Sequence, residues 1–172
     1  MRIRRISRVS AGIFAAGLMV AAPGARAGEW LADGKSRCQV WDPNPQLEET
    51  VAWTGGCSGG RADGFGTARW LKAGAEIESD TGEWRDGKQV GKGVQNWPIG
   101  RYEGELADSL PNGRGVLAFQ KLRYDGEFRD GKPNGSGKLT AGDQTVQGLW
   151  KDGCLQGSQR KASIGVPLSG CR

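Results

Sequence analysis

Tyr124-Asp125-Gly126-Glu127-Phe128-Arg129-Asp130-Gly131-Lys132-Pro133-Asn134-Gly135-Ser136-Gly137 decides the fold. It holds a short alternating run, an Asp-Gly turn signal, then a second short run opened by Pro-Asn-Gly. No apolar i, i+3, i+4 pattern runs through it, so the unit reads as a β-hairpin. Working outward, its first glycine belongs to a series: Gly82, Gly104, Gly126 and Gly148 stand 22 residues apart. Each is followed nine residues later by Gly91, Gly113, Gly135 or Gly157, and two further on stand Gly93, Gly115 and Gly137. Gly55, Gly64 and Gly66 repeat the spacing one unit earlier, offset by 27 residues. A fixed period of this size marks a repeat protein and shifts the functional expectation from a single pocket to an extended surface.

The units start at Trp53, Asp80, Tyr102, Tyr124 and Val146. Strand alternation puts Tyr102, Gly104 and Leu106 on one face, with Tyr124, Gly126 and Phe128 beside them. Trp84 and Trp150 take the equivalent position, and Trp97 and Phe119 follow the last glycine of their units by four residues. Stacked units would line these rings up beside a column of glycines, each ring covering bare backbone. This aromatic row reads as the sheet's core, or as a groove for a peptide or glycan. Trp84, Tyr102, Tyr124, Phe128, Trp150, Trp97 and Phe119 are the candidate binding residues. The opposite face is polar: Glu83, Glu105 and Glu127 recur at the same period, with Lys92 and Arg114 between them as a charge ladder.

These motifs resemble the MORN (membrane occupation and recognition nexus) repeat, approximately Tyr-x-Gly-x-Trp-x-x-Gly-x-x-x-Gly-x-Gly, here in an exported bacterial form. The unit from Tyr124 matches best, and Glu83-Trp84 to Gly93 matches well. The third unit has Ser109 where the turn glycine belongs, and the fifth ends in Gln159 instead of a third glycine. The resemblance implies an all-β fold: an elongated single-layer antiparallel sheet of about five stacked hairpins. It also implies a role in protein contacts, scaffolding, membrane association or self-association, with no catalytic domain of its own.

Residues 1–27 read as a secretory signal peptide. Arg2, Arg4, Arg5 and Arg8 precede an apolar run, and Ala25-Arg26-Ala27 fits signal peptidase. The expected organisation is then a cap segment at 28–52, five repeats at 53–157 and a second cap at 158–172. The leader holds five Arg and no acid, so the formal +5 lies wholly within it, and the remainder has 19 basic and 19 acidic residues. That balance gives no footprint for nucleic acid. An exported chain with Cys38, Cys57, Cys154 and Cys171 suggests disulfides. Their positions favour Cys38–Cys57 and Cys154–Cys171, one bridge at each end of the array. Trp41-Asp42-Pro43-Asn44-Pro45, inside the first loop, reads as a stiff extended cap over the first hairpin.

The chain has no histidine, which removes the usual general base and the Ser-His-Asp arrangement. Gly56-Cys57-Ser58-Gly59-Gly60 spells GxSxG and Ser158-Gln159-Arg160-Lys161 spells SxxK, but neither has its required helical context. Without CxxC or histidine, no metal or other cofactor is expected. The expected function is that of a non-enzymatic interaction or scaffold protein holding a protein partner in the cell envelope, periplasmic or secreted. The alternative is binding of envelope glycan or lipid through the aromatic row. Self-association of two arrays is a further expectation.

Overall fold

The structure, a computed structural model, describes residues 28–157 and 161–171. The signal-peptide reading of 1–27 lies outside these residues, as does part of the second cap. The described chain forms one open, mostly antiparallel sheet of 13 strands. These are β1 (Glu29–Ala32), β2 (Gln39–Asp42), β3 (Glu49–Trp53), β4 (Gly56–Ser58), β5 (Arg61–Lys72), β6 (Ala75–Arg85) and β7 (Lys88–Trp97). They continue as β8 (Gly100–Ala107), β9 (Leu110–Phe119), β10 (Leu122–Arg129), β11 (Lys132–Ala141), β12 (Gln144–Lys151) and β13 (Cys154–Leu155). From β5 onward each strand pairs with the next, as a hairpin array must.

The glycine series becomes a physical row. Gly66, Gly82, Gly93, Gly104, Gly115, Gly126, Gly137 and Gly148 are cross-strand neighbours on eight successive strands. A Cβ on Gly115 or Gly137 would run into the ring of Tyr102 or Tyr124, and one on Gly66 into Trp53. Each ring therefore lies flat over glycine backbone, which explains why residues that weaken a strand are used at its centre. The tyrosine hydroxyls then reach past the glycine and donate to the carbonyls of Glu105 (2.7 Å) and Glu127 (3.2 Å). Those glutamates sit where the strand register shifts. Across the bulge, Gly113 and Gly135 adopt φ of +103° and +113°, conformations closed to most L-residues.

The tight turns stack as well. Asp86-Gly87, Asp130-Gly131 and Asp152-Gly153 have positive φ at both central residues, the type I′ geometry that matches strand twist. The turn N–H groups of Ser109, Gly131 and Gly153 donate to the carbonyls of Gln89, Pro111 and Pro133 in the preceding unit. Ser109 holds the left-handed conformation without being glycine, at φ +65°. The compensation is local: its hydroxyl accepts the Gln89 N–H at 3.0 Å and its carbonyl accepts Gln95 Nε2 at 3.1 Å.

The core divides into two clusters. One runs from Tyr102 through Leu117, Tyr124, Phe128, Leu139 and Trp150 to Ile164. The other joins Cys38, Val40, Val51, Trp53, Trp70 and Trp84. Between them lie buried Gln89, Gln95 and Ser109. Edge-to-face ring pairs knit each cluster: Tyr124 with Phe128 and Trp150 at 5.1 and 5.2 Å, and Trp53 with Trp84 at 5.2 Å.

Both ends are closed by disulfides, Cys38–Cys57 and Cys154–Cys171. Each closes a loop worth about 3 kcal/mol on the chain-entropy argument. Two details differ from the sequence reading. Segment 28–52 contributes three strands, so pairing with β5 begins at Glu49. Trp41 and Asp42 end β2, which touches β5 in parallel at Gln39↔Arg61, so the sheet is not purely antiparallel. The reason is Asp33: its carboxylate accepts the N–H groups of Ser36 (2.6 Å) and Trp53 (3.2 Å), docking the β1–β2 loop on β3. The Ser36 hydrogen bond holds the Asp33 pKa below its ordinary value.

Candidate functional site

Six of the seven aromatic candidates are buried. Trp84, Tyr102, Tyr124, Phe128 and Trp150 are at most 4% exposed and Phe119 is 7%. Trp97 is half-buried against the same cluster. Rings at this depth cover glycine backbone and pack on one another, so they are closed to a ligand arriving from solvent. Burial also pushes the Tyr102 and Tyr124 hydroxyl pKa values up.

The accessible surface is the opposite face. Beside the glycine row runs a line with one residue from each of β5 to β12: Phe65, Glu83, Lys92, Glu105, Arg114, Glu127, Ser136 and Leu149. Glu127 is half-buried and the other seven are exposed. Lys92 pairs in register with Glu105, and Arg114 with Glu127. Neither pair closes to an ion pair among the described residues, whereas Arg61–Asp86 and Lys88–Asp108 do, at 2.7 and 2.9 Å. The carboxylate of Glu127 instead turns onto the bulge and accepts the Ser136 N–H at 3.0 Å. A second line on the same face includes Thr81, Val94, Glu103, Asp125 and Lys138.

Two shallow grooves lie between these lines, floored by glycine backbone. One, of about 570 Å³, is bordered by Phe65, Lys92, Val94 and Glu105. The other, of about 350 Å³, is bordered by Arg114, Asp125, Glu127 and Lys138. The Glu and Lys/Arg members of the ladder were legible from their period. Phe65 and Leu149, at its ends, fill the same repeat positions as Arg114 and Glu127 but break the charge pattern.

A second polar site emerges only in three dimensions. The charges of Asp42 on β2 and Glu49 on β3 bear on Glu78 and Asp80 on β6. Asp80 is buried; its Oδ2 accepts Trp70 Nε1 at 2.8 Å, while Oδ1 has no hydrogen-bond partner among the described residues. Burial lifts Asp80 to about 7, against the Trp70 hydrogen bond. Burial also lifts Asp42 to about 7, and burial with the Asp80 charge lifts Glu78 to about 9. No group of three or more His, Cys, Asp or Glu is arranged to hold a metal ion among the described residues. No described helix is long and apolar enough to cross a membrane.

An elongated sheet of stacked hairpins, with a ring-over-glycine core and an open charged face, defines a repeat-array protein. Residues 81–100, 102–121 and 124–146 each match the family model described as MORN repeat, so three consecutive units are similar to that repeat. That family is a non-catalytic one of protein- and membrane-interaction repeats. No curated protein matches the chain significantly.

Proposed function

We propose that the protein is an exported, non-enzymatic interaction module that holds a protein partner in the cell envelope through its open charged face. The observation that carries this reading is the exposed line from Phe65 to Leu149. It presents alternating charges without internal ion pairs, on strands held rigid by the ring-over-glycine core. Unpaired charges at fixed spacing are the means by which a surface selects a complementary partner and suppresses others. Two disulfides fit an oxidising compartment outside the cytoplasm. The glycan or lipid alternative relied on the aromatic row, and burial of that row removes its stacking surface.

The test is capture of partners by the tagged protein from cross-linked envelopes, comparing wild type with Arg114→Glu. A protein recovered in stoichiometric amount by wild type and lost by the variant supports the reading. Equal recovery by both removes the open face as the binding surface.

A further inference from the structure

The charged line reads the same from both ends with its signs exchanged. Counted inward from β5 and from β12, Phe65 corresponds to Leu149, Lys92 to Glu127 and Glu105 to Arg114. Glu83 corresponds to the neutral Ser136. Each cation on one half of the line thus matches an anion on the other, and the two apolar ends match each other. Phe65 and Leu149 are 66% and 63% exposed, among the most exposed large apolar side chains described.

We propose that the partner of this face is a second copy of the same chain, related by a two-fold axis parallel to the strands between β8 and β9. The inference rests on the reading of the open face as the interaction surface. Such an operation lays the line against itself reversed, the self-complementarity that an isologous interface requires. Glu105 then meets Arg114 of the second copy, Lys92 meets its Glu127, and Phe65 meets its Leu149.

The neighbouring lines add no ion pairs, and several of their charges face neutral side chains. On the second line Val94 faces Asp125, Glu103 faces Val116 and Thr81 faces Lys138. On the third, Asn96 faces Arg123 and Arg101 faces Ala118. No like charges meet on any of the three lines. The other face-to-face two-fold, perpendicular to the strands, would set Glu103, Asp125 and Lys138 each against its own copy, and like-charge contact is costly.

The size is sufficient. Eight strands at about 4.8 Å and three lines at about 7 Å give a face on the order of 700 Å² per copy. The total, about 1,400 Å², falls within the roughly 1,200–2,000 Å² of stable interfaces.

Sedimentation of the purified protein over a concentration series to about 100 µM tests this. Wild type should show a monomer–dimer equilibrium that weakens with salt. Arg114→Glu should weaken it at least tenfold, and Glu105→Arg similarly, each placing like charges at the centre. The double variant E105R/R114E should regain dimerisation, because the swapped charges again meet their opposites across the axis. A monomer at all concentrations overturns the proposal, as does a dimer indifferent to Arg114→Glu or one the double variant fails to restore. A different protein bound to this face would be lost in both the single and the double variant. That pattern in the capture experiment, with a monomeric wild type, would leave the interaction reading standing and remove the second copy. Phe65→Asp, at the far end of the line, serves as an independent variant and should also weaken the dimer.

Discussion

The two halves of the array share one backbone and differ in what fills it. In the C-terminal half the core column reads Tyr102, Leu117, Tyr124 and Leu139, all buried. In the N-terminal half the corresponding positions hold Ala68, Asp80 and Gln95, equally buried. Pro111 and Pro133 likewise correspond to Gln89. The glycine row crosses both halves without interruption, so backbone geometry does not depend on which side chains face the core. What changes is how the core is satisfied. Tyrosines send one hydroxyl to a bulge carbonyl. The glutamines and Ser109 form a connected polar seam, with Gln95 Nε2 donating to Gln89 Oε1 at 3.2 Å and Gln89 Nε2 to the Thr81 carbonyl at 3.0 Å. Asp80 keeps one oxygen unpaired. The N-terminal half is the half that carries strands β1 to β4 and the Asp33 anchor.

The largest expected effect falls in the C-terminal half. Tyr124→Ala removes a fully buried ring that covers Gly126 and Gly137 and packs edge-to-face with Phe128 and Trp150. It should cost about 3–5 kcal/mol in a urea titration. A loss below about 1 kcal/mol would mean the rings are not what holds that half together.

The next effect sharpens the contrast from the other side and depends on pH. Asp80, Asp42 and Glu78 have folded pKa values raised above those of ordinary carboxylates. The folded state therefore holds protons that the unfolded state releases, and stability falls as pH rises. The decline should begin near pH 4 and extend through about 7 to about 9, the values of the buried groups. Asp80→Asn keeps an oxygen for Trp70 and removes the buried charge. It should stabilise the protein at pH 8 by about 1–3 kcal/mol, make little difference at pH 4, and flatten the profile between. A variant less stable than wild type at pH 8 would show that Asp80 is held charged by a partner. Asp33 works in the opposite sense: its lowered pKa gives stability that is lost on acidification.

The smallest effect belongs to the surface and should not distinguish the halves. Arg101–Glu103, at 2.8 Å, joins two exposed side chains. Arg101→Ala should shift stability by less than about 1 kcal/mol. A larger loss in a thermal melt would show that the open face contributes to folding.

Much of this fold was legible because its signals are local and repeated. The Gly-x-Gly spacing sets the row, the Asp-Gly dipeptides set the turns, and tyrosine two residues before glycine places the ring. Ser109 was visible as a departure, but its remedy was not, since Gln89 and Gln95 reach it from another strand. The carboxylate cluster was hidden for the same reason: Asp42 and Asp80 lie 38 residues apart. One signal was present, a carboxylate at Asp80 in the position where other units place Tyr102 and Tyr124.

The period, the hairpins and the ring-over-glycine pairing are written in the chain, because each follows from residues within one unit, and the cysteine positions favour one bridge at each end. Which face is closed depends on how the units pack. Alternation divides a strand into two faces but cannot say which one neighbouring units will cover. Stacking settles it, by laying each ring on the backbone of the next strand and leaving the line from Phe65 to Leu149 facing solvent.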